Sequence, residues 1–401
     1  MDGGKLNVNI FIPHLVGGGA ERVVSELSLN QSPDINLSIS LNSLKNMAYQ
    51  IGEVQLFAYD ENASKNILSK ILFSIKPRII YQTYQHYLHI RRNKFDVSVS
   101  FLTYANVTNI LVSGLLHVPT VISIRNNILE EHGNSILSSI QKYFLKVFSP
   151  YVIVNSEDNK NWLVHQYHLN NDKCICIYNP KDVRTIQSLS TIPVEEDFCK
   201  TEEPILLSVG RLVPQKGHMH LLRIFRRIRE DISCRLVICG IGPLESTLKE
   251  MVMKMNLSNS VYFAGFCENP YKYMKRADIF VLTSLFEGQP NALIEALICG
   301  CPIISTDCNY GPREILDNGK YGFLTQRLDG KIENPLTMPL TNAESEMCEK
   351  IMYLMLHPEK REELKLLSSE RIPLFNKDMC IKKYYDVFHA ALDNKSLNDI
   401  E

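Results

Sequence analysis

Short runs of β-branched and other apolar residues recur along the whole chain, and each is followed by a helix-like segment. Strands that are apolar on both faces and alternate with helices are typical of parallel sheets covered by helices on both sides. The sequence therefore predicts an α/β protein, with more strands than one sheet holds comfortably. The runs that we assign to strands are 8–12, 35–41, 95–101, 119–124, 151–155, 173–178, 205–210, 235–240, 261–266, 279–284 and 301–307.

A polar, acidic stretch at 185–203 interrupts this alternation and separates two arrays of similar size. Such a stretch is typical of a domain boundary. Near the end of the chain, residues 379–392 carry Ile381, Tyr384, Tyr385, Phe388 and Leu392 at helical spacing. A lone helix with such an apolar face must pack against a domain.

The composition excludes intrinsic disorder, collagen and coiled coil as the main architecture. The chain has 401 residues, 45% hydrophobic and 22% charged, which is usual for globular proteins. With 43 basic and 44 acidic residues, the protein has no net charge that would attract it as a whole to nucleic acid or an anionic membrane.

The cysteines predict a location inside the cell. Their number, 11, is odd, none precedes Cys174, and no C-x-x-C pair or zinc-like spacing occurs. Reduced, buried thiols in a cytoplasmic protein fit this pattern. The first residues make a poor signal peptide, and no apolar run reaches the ~18 residues of a spanning helix.

Glycines follow the first strand in the sequence GGGAERVV at 17–24. Glycines at a strand-to-helix turn let the backbone approach a ligand, and the helix N-terminus offers N–H groups to an anion. Gly17, Gly18 and Gly19 are therefore candidates for an anion site, and a tight turn without a ligand is the alternative.

The second array opens with Gly210, Arg211 and Lys216 after its first strand. Two cations beside one strand end suit a diphosphate, although a pair of solvated surface charges is the alternative. Gly240 and Gly242 repeat the strand–glycine–helix pattern and suit a close backbone approach.

The most specific stretch is EGQPNALIEAL at 287–297. Pro290 suits a first helical position, which leaves Glu287 in a loop and Glu295 inside the helix. Loop N–H groups and the helix dipole can hold phosphate oxygens, while carboxylates accept hydrogen bonds from sugar hydroxyls. Ordinary helix-face charges are the alternative.

In this order, the motifs resemble those of the retaining GT-B glycosyltransferases of family 4. The resemblance covers both halves of the chain. The segments that carry it are GGGAERVV (17–24), YNP (178–180), SVGRL (208–212) with Lys216, GIGP (240–243), EGQPNALIEAL (287–297), GCPIISTD (300–307) and GPREIL (311–316).

This resemblance implies two Rossmann-like domains facing a cleft. We expect an acceptor-binding domain at 1–190, a nucleotide-sugar domain at 200–372, and a helix within 373–401 that returns to the first domain. It also implies a metal-independent enzyme without a cofactor, which moves a hexose-type residue from a nucleotide-sugar. Uridine is the commonest base in such enzymes.

The same resemblance suggests roles for individual residues. Arg211 and Lys216 would hold the donor diphosphate, Glu295 would bind the ribose hydroxyls, and Glu287 would hold the transferred sugar. The remaining donor-binding candidates are Gly210, Gly242, Pro243, Phe266, Gly288, Gln289, Pro290 and Asn291. Among these regions, the backbone around Ile241–Pro243 and Phe266 would frame the base. Gly17, Gly18 and Gly19 would face the diphosphate and acceptor.

One departure from the family pattern concerns the strand that reads VISIRNN. Many relatives have a histidine after this strand, whereas this chain has Arg125, Asn126 and Asn127. Arg125 is a candidate for binding an acceptor phosphate. His132 follows seven residues later, without a sign that it takes the histidine's role.

Segment 65–94 holds seven Lys or Arg and no acidic residue, with apolar and aromatic residues interleaved. Such a segment suits an anionic membrane surface, and a solvated face on core-packed helices is the alternative. No nucleic-acid motif accompanies it, so nucleic acid is not expected as a partner.

Together these observations predict transfer to a lipid-linked glycan or a lipopolysaccharide such as O-antigen, in polysaccharide biosynthesis at the inner face of the cell membrane. A GT-B sugar-nucleotide epimerase and a non-catalytic sugar-nucleotide-binding subunit are the alternatives on this scaffold. A dinucleotide oxidoreductase would require G-x-G-x-x-G, which neither glycine loop contains.

Overall fold

The computed structural model describes residues 5–60, 79–125, 136–329, 332 and 335–400. Two α/β units make up the chain. One comprises Met1–Pro180 and Lys377–Glu401, and the other comprises Lys181–Asn376.

The first unit contains a parallel sheet of seven described strands in the order β3-β2-β1-β4-β5-β6-β7. Its elements are β1 Leu6–Phe11, α1 Gly19–Leu29, β2 Ile35–Leu41, β3 Gln55–Ala58, α2 Ile79–Asn93, β4 Val97–Phe101, α3 Thr103–Leu116, β5 Thr120–Ile124, α4 Ile136–Phe148, β6 Tyr151–Val154, α5 Glu157–Tyr167 and β7 Cys174–Cys176.

The second unit contains a parallel sheet of six described strands in the order β10-β9-β8-β11-β12-β13. Its elements are α6 Val183–Ser190, β8 Ile205–Val209, α7 His218–Asp231, β9 Arg235–Cys239, α8 Glu245–Lys254, β10 Val261–Gly265, α9 Tyr271–Arg276, β11 Ile279–Leu282, α10 Asn291–Ile298, β12 Ile303–Thr306, α11 Pro312–Ile315, β13 Phe323–Thr325, α12 Asn342–Leu356 and α13 Pro358–Arg371.

The last helix, α14 (Lys377–Leu392), belongs to the first unit. Tyr384 and Phe388 are fully buried in the core that α14 shares with the strands of that sheet. The Tyr385 hydroxyl donates to the carbonyl of Leu27 in α1 at 2.6 Å. Leu392, which helical spacing predicts on the same face, is 44% exposed because it ends the helix.

The boundary between the units lies earlier than the polar stretch predicts. Helix α6, which the sequence assigns to a first domain ending at residue 190, belongs to the second unit because it packs on α9 and α10. The stretch that follows is also anchored there, since Arg276 donates to the carbonyls of Cys199 and Thr201. Residues 373–376 also lie in the second unit, where Phe375 is fully buried.

The cysteines agree with the prediction of buried thiols. All eleven are free, and all but Cys176 and Cys267 are buried. Burial raises the pKa of Cys174 and of Cys308 to about 12, so both stay protonated at neutral pH. Among the described helices, none is long and apolar enough to cross a membrane.

Candidate active site

The predicted donor residues gather where the strand order of the second sheet reverses. Strand β8 has β9 on one side and β11 on the other. In open parallel sheets, ligands bind beyond the carboxyl ends of the strands at such a point. Gly210 and Arg211 follow β8, and Glu287 lies in the loop after β11.

Lys216 and Glu287 form an ion pair at this point. The Lys216 Nζ lies 2.5 Å from Glu287 Oε1, and the Ser284 hydroxyl donates to the same oxygen at 2.6 Å. The Lys216 side chain is 18% exposed and that of Glu287 is 7% exposed. The alternative of an ordinary helix-face charge is therefore wrong for Glu287, and the alternative of a solvated surface charge is wrong for Lys216. Arg211 is exposed and makes no side-chain hydrogen bond or ion pair with the described residues, so that alternative stays open for it.

A tight turn fixes the backbone of Lys216. Gly217 has φ +64°, and a Cβ there would lie 2.0 Å from the carbonyl oxygen of Thr283. The Thr283 hydroxyl donates to the carbonyl of Lys216 at 2.9 Å. Only glycine fits this contact, so the turn after β8 packs directly on the end of β11.

The glycines after β9 serve contact between neighbouring loops. Gly240 has φ +150°, and a Cβ there would lie 1.9 Å from the carbonyl oxygen of Gly210. At Gly242 a Cβ would lie 2.5 Å from the carbonyl oxygen of Leu212, whose N–H donates to the Ile241 carbonyl at 2.9 Å. The close backbone approach that the sequence predicts is therefore made to the loop after β8.

The loop before α10 is buried from Glu287 through Gly288, Gln289 and Pro290. Pro290 is the N-cap residue with φ −69°, and the helix begins one position later than predicted, at Asn291. Proline fits the cap because its ring fixes φ near this value.

The second glutamate, Glu295, also lies away from solvent. Its Oε1 accepts a hydrogen bond from the Lys181 Nζ at 2.6 Å, and the two side chains are 8% and 0% exposed. The alternative of an ordinary helix-face charge is wrong here too. Sequence reasoning missed Lys181, although it directly follows the YNP motif, because nothing in the sequence joins residues 114 positions apart.

The residues predicted to frame the base lie beyond the ends of β9 and β10. Phe266 is 72% exposed and Ile241 is 52% exposed, and Pro243 is exposed as well. An exposed aromatic ring beside a loop backbone can stack on a flat base. Their role stays a prediction.

In the first unit, the glycine loop contacts an internal carboxylate. Gly17 has φ +117°, and α1 begins at Gly19. A Cβ on Gly18 would meet the carboxylate of Glu21, which therefore lies at the N-terminus of the helix, where negative charge is stabilised.

Arg125 is only 8% exposed and has partners within the first unit. Its guanidinium donates to the Tyr384 hydroxyl at 2.7 Å and to the side-chain oxygen of Asn179. These contacts connect the end of β5 to α14, so Arg125 has a structural role in the first unit that is independent of any acceptor. Asn126, Asn127 and His132 lie outside the described residues.

The basic segment is described only from residue 79 onward, as α2 and the residue after it. Helix α2 buries Tyr81, His86 and His89, while Arg91 and Arg92 are exposed. This half fits the alternative of a core-packed helix with a solvated basic end. The rest of segment 65–94 lies outside the described residues. In the part of the chain that the structure covers, no group of three or more His, Cys, Asp or Glu could hold a metal ion.

Comparison with known proteins places these features in a family. Residues 195–331 match the family described as Glycosyl transferases group 1. An uncharacterized glycosyltransferase of Methanocaldococcus jannaschii is 31% identical over 340 residues, which are 77% of this chain and 82% of that protein. The chain therefore belongs to the group 1 glycosyltransferases.

Two further relatives add detail. The N-acetylgalactosamine-N,N'-diacetylbacillosaminyl-diphospho-undecaprenol 4-alpha-N-acetylgalactosaminyltransferase of Campylobacter jejuni is 30% identical over 80% of this chain and 86% of its own. The crystal structure of Anabaena HepE in complex with UDP-glucose has a TM-score of 0.72 and 16% identity, covering 96% of this chain and 100% of its own. The two parallel-sheet α/β domains are those of the GT-B class.

Proposed function

We propose that this glycosyltransferase moves a hexose-type residue from a UDP-sugar to a hydroxyl of a lipid-linked glycan, with retention at the anomeric carbon as in family 4. The observation that carries the proposal is the pairing of Lys216 with Glu287 where the second sheet reverses its strand order. A cation for a diphosphate and a carboxylate for a sugar hydroxyl then lie side by side.

The chemistry requires negative charge on the leaving diphosphate to be stabilised while the sugar becomes oxocarbenium-like. Fixed donors aimed at developing charge supply most of such stabilisation. Lys216, Arg211 and the N-terminus of α10 supply it here. Contacts that are equally strong in the ground state and the transition state tighten substrate binding without accelerating the chemical step. We assign this role to Glu295, which would bind the ribose hydroxyls. The activity needs no metal or cofactor and is expected to persist in a chelator.

For the acceptor, the Campylobacter relative supports a glycan on a polyprenyl diphosphate, because its name specifies a diphospho-undecaprenol acceptor. The same name specifies an α linkage, which retention yields from an α-linked donor. A lipopolysaccharide such as O-antigen is the related possibility. The loop at Gly17–Gly19 and Arg125 would face the acceptor.

Incubation with UDP-sugars, with and without a polyprenyl-diphosphate-linked glycan, tests this proposal. Acceptor-dependent release of UDP is expected, and proton NMR of the product should show a retained anomeric configuration. An inverted linkage contradicts retention. An epimerised donor would indicate an epimerase, and nucleotide binding without turnover would indicate a binding subunit.

The enzyme would then work at the cytoplasmic face of the membrane, as a peripheral protein held through segment 65–94. At about 1 kcal/mol per basic residue near an anionic surface, half of its seven cations give reversible adsorption. Flotation with anionic but not neutral liposomes is expected, and it should weaken with salt. Equal recovery from both, or no loss after Arg91 and Arg92 are changed to Gln together with the basic residues of 65–78, would contradict this.

A further inference from the structure

A lysine with no solvent exposure pairs with the glutamate that we assign to the ribose. Lys181 Nζ lies 2.6 Å from Glu295 Oε1, and the lysine side chain is 0% exposed. Burying an ion pair gives little or no net stability, and well-packed apolar side chains often serve a core better. A buried Lys–Glu pair beside a binding site therefore suggests that the carboxylate is needed in its ionised form.

The backbone of Lys181 is fixed as firmly as its side chain. Its N–H donates to the carbonyl of Phe375 at 2.8 Å, and Lys181 forms a parallel bridge with Asn376. Phe375 is fully buried. The ammonium group thus reaches α10 from an anchored backbone, and little freedom remains for the carboxylate that it contacts.

We propose that Lys181 is a positioning residue for donor binding, which holds the Glu295 carboxylate ionised and oriented toward the ribose hydroxyls of the nucleotide. The inference rests on the proposed function, which assigns Glu295 to the ribose. A carboxylate accepts about four hydrogen bonds through its two oxygens, so the bond from Lys181 is compatible with hydroxyl donors from a ligand.

Titration calorimetry with UDP tests this on the full chain, with Lys181→Met, Glu295→Gln and the double variant. Hydrogen bonds to charged groups are the stronger ones, so a carboxylate that loses its bond from Lys181 should bind the ribose more weakly. We expect the Kd of Lys181→Met for UDP to be about 10-fold or more above that of the wild type. If Lys181 acts through Glu295, the double variant binds UDP no more weakly than Glu295→Gln alone. In the transferase assay, Lys181→Met should raise the donor KM and leave kcat near the wild-type value.

A control is a further buried ion pair of the same unit, in which Arg223 Nε lies 2.8 Å from Glu344 Oε1. Arg223→Met should lower the melting temperature and leave the Kd for UDP unchanged. If it weakens UDP binding as much as Lys181→Met, the effect is one of general stability and the inference is overturned. Additive losses in the double variant overturn it as well.

The outcomes separate this inference from the function on which it rests. A wild-type chain that does not bind UDP contradicts the proposed donor and overturns both. A wild-type chain that binds UDP, together with Lys181→Met of equal Kd, overturns the inference alone. Should Lys181→Met fail to fold, Lys181→Gln keeps an uncharged N–H donor group, and its Kd for UDP should rise less, but measurably. An unchanged Kd for that variant also overturns the inference.

Discussion

Replacing Lys216 by Met should separate the stability of the donor site from its activity. The ion pair with Glu287 is short, at 2.5 Å, and its side chains are 18% and 7% exposed. Removing one partner of a buried pair costs about 3–5 kcal/mol. Because water reaches the lysine, we expect about 2–3 kcal/mol, and for a unit of this size that lowers the melting temperature by about 4–12 °C.

Activity should fall further than stability explains. Loss of one fixed donor to developing charge typically costs about 10²–10³ in turnover. In the double variant Lys216→Met/Glu287→Gln no buried charge is left unpaired, so the melting temperature should largely recover while turnover stays low. Scanning fluorimetry and acceptor-dependent UDP release measure the two effects. Wild-type turnover in Lys216→Met would refute the diphosphate role, and a double variant as unstable as the single one would refute the ion-pair calculation.

Three other predictions follow from geometry and charge. Glu295→Gln should raise the donor KM about 10–100-fold with kcat unchanged, and the opposite pattern in steady-state kinetics would exchange the roles of the two glutamates. Gly240→Ala should destabilise the chain by about 3 kcal/mol or more in urea denaturation, because its Cβ would lie 1.9 Å from a backbone oxygen. Gly319→Ala, with φ +98° but no atom within 4 Å, should cost about 1–2 kcal/mol, and equal losses would contradict the steric argument. Burial lowers the pKa of His86 from 6.5 to about 3, so the unfolded chain binds a proton first and stability should fall as the pH drops from about 6.5 toward 3. Level denaturation midpoints between pH 6.5 and 4.5 would be the contrary result.

The sequence predicts the inner strands of both sheets well. Each of the eleven apolar runs overlaps a strand, because a strand buried on both faces is largely apolar. The two strands that it misses are β3 (Gln55–Ala58) and β13 (Phe323–Thr325), which form one edge of each sheet. They are four and three residues long, and each pairs with a single neighbouring strand.

The sequence identifies candidate residues near strand ends but not the side chains that pair with them. Parallel strands bring their carboxyl ends to one edge, and Glu287 and Lys216, which both follow strands, lie close together there. The pairing of Lys181 with Glu295 depends on the path of the chain between Lys181 and α10, which no local pattern specifies. The boundary at residue 180 has the same origin, because a polar stretch marks a loop but not the unit on which the loop packs.

Because α14 belongs to the first unit, the core of that unit cannot be completed until the end of the chain has been synthesised. A ribosome completes the contiguous second unit, Lys181–Asn376, before it emits the helix that fills the core of the first. During translation the sheet of the first unit is therefore synthesised first but lacks Tyr384 and Phe388, so the apolar surface that they cover stays exposed. The second unit already has all its residues at that stage. Nascent chains stalled before residue 377 should therefore bind chaperones through the first unit, whose core is incomplete, rather than through the second unit, which is synthesised later.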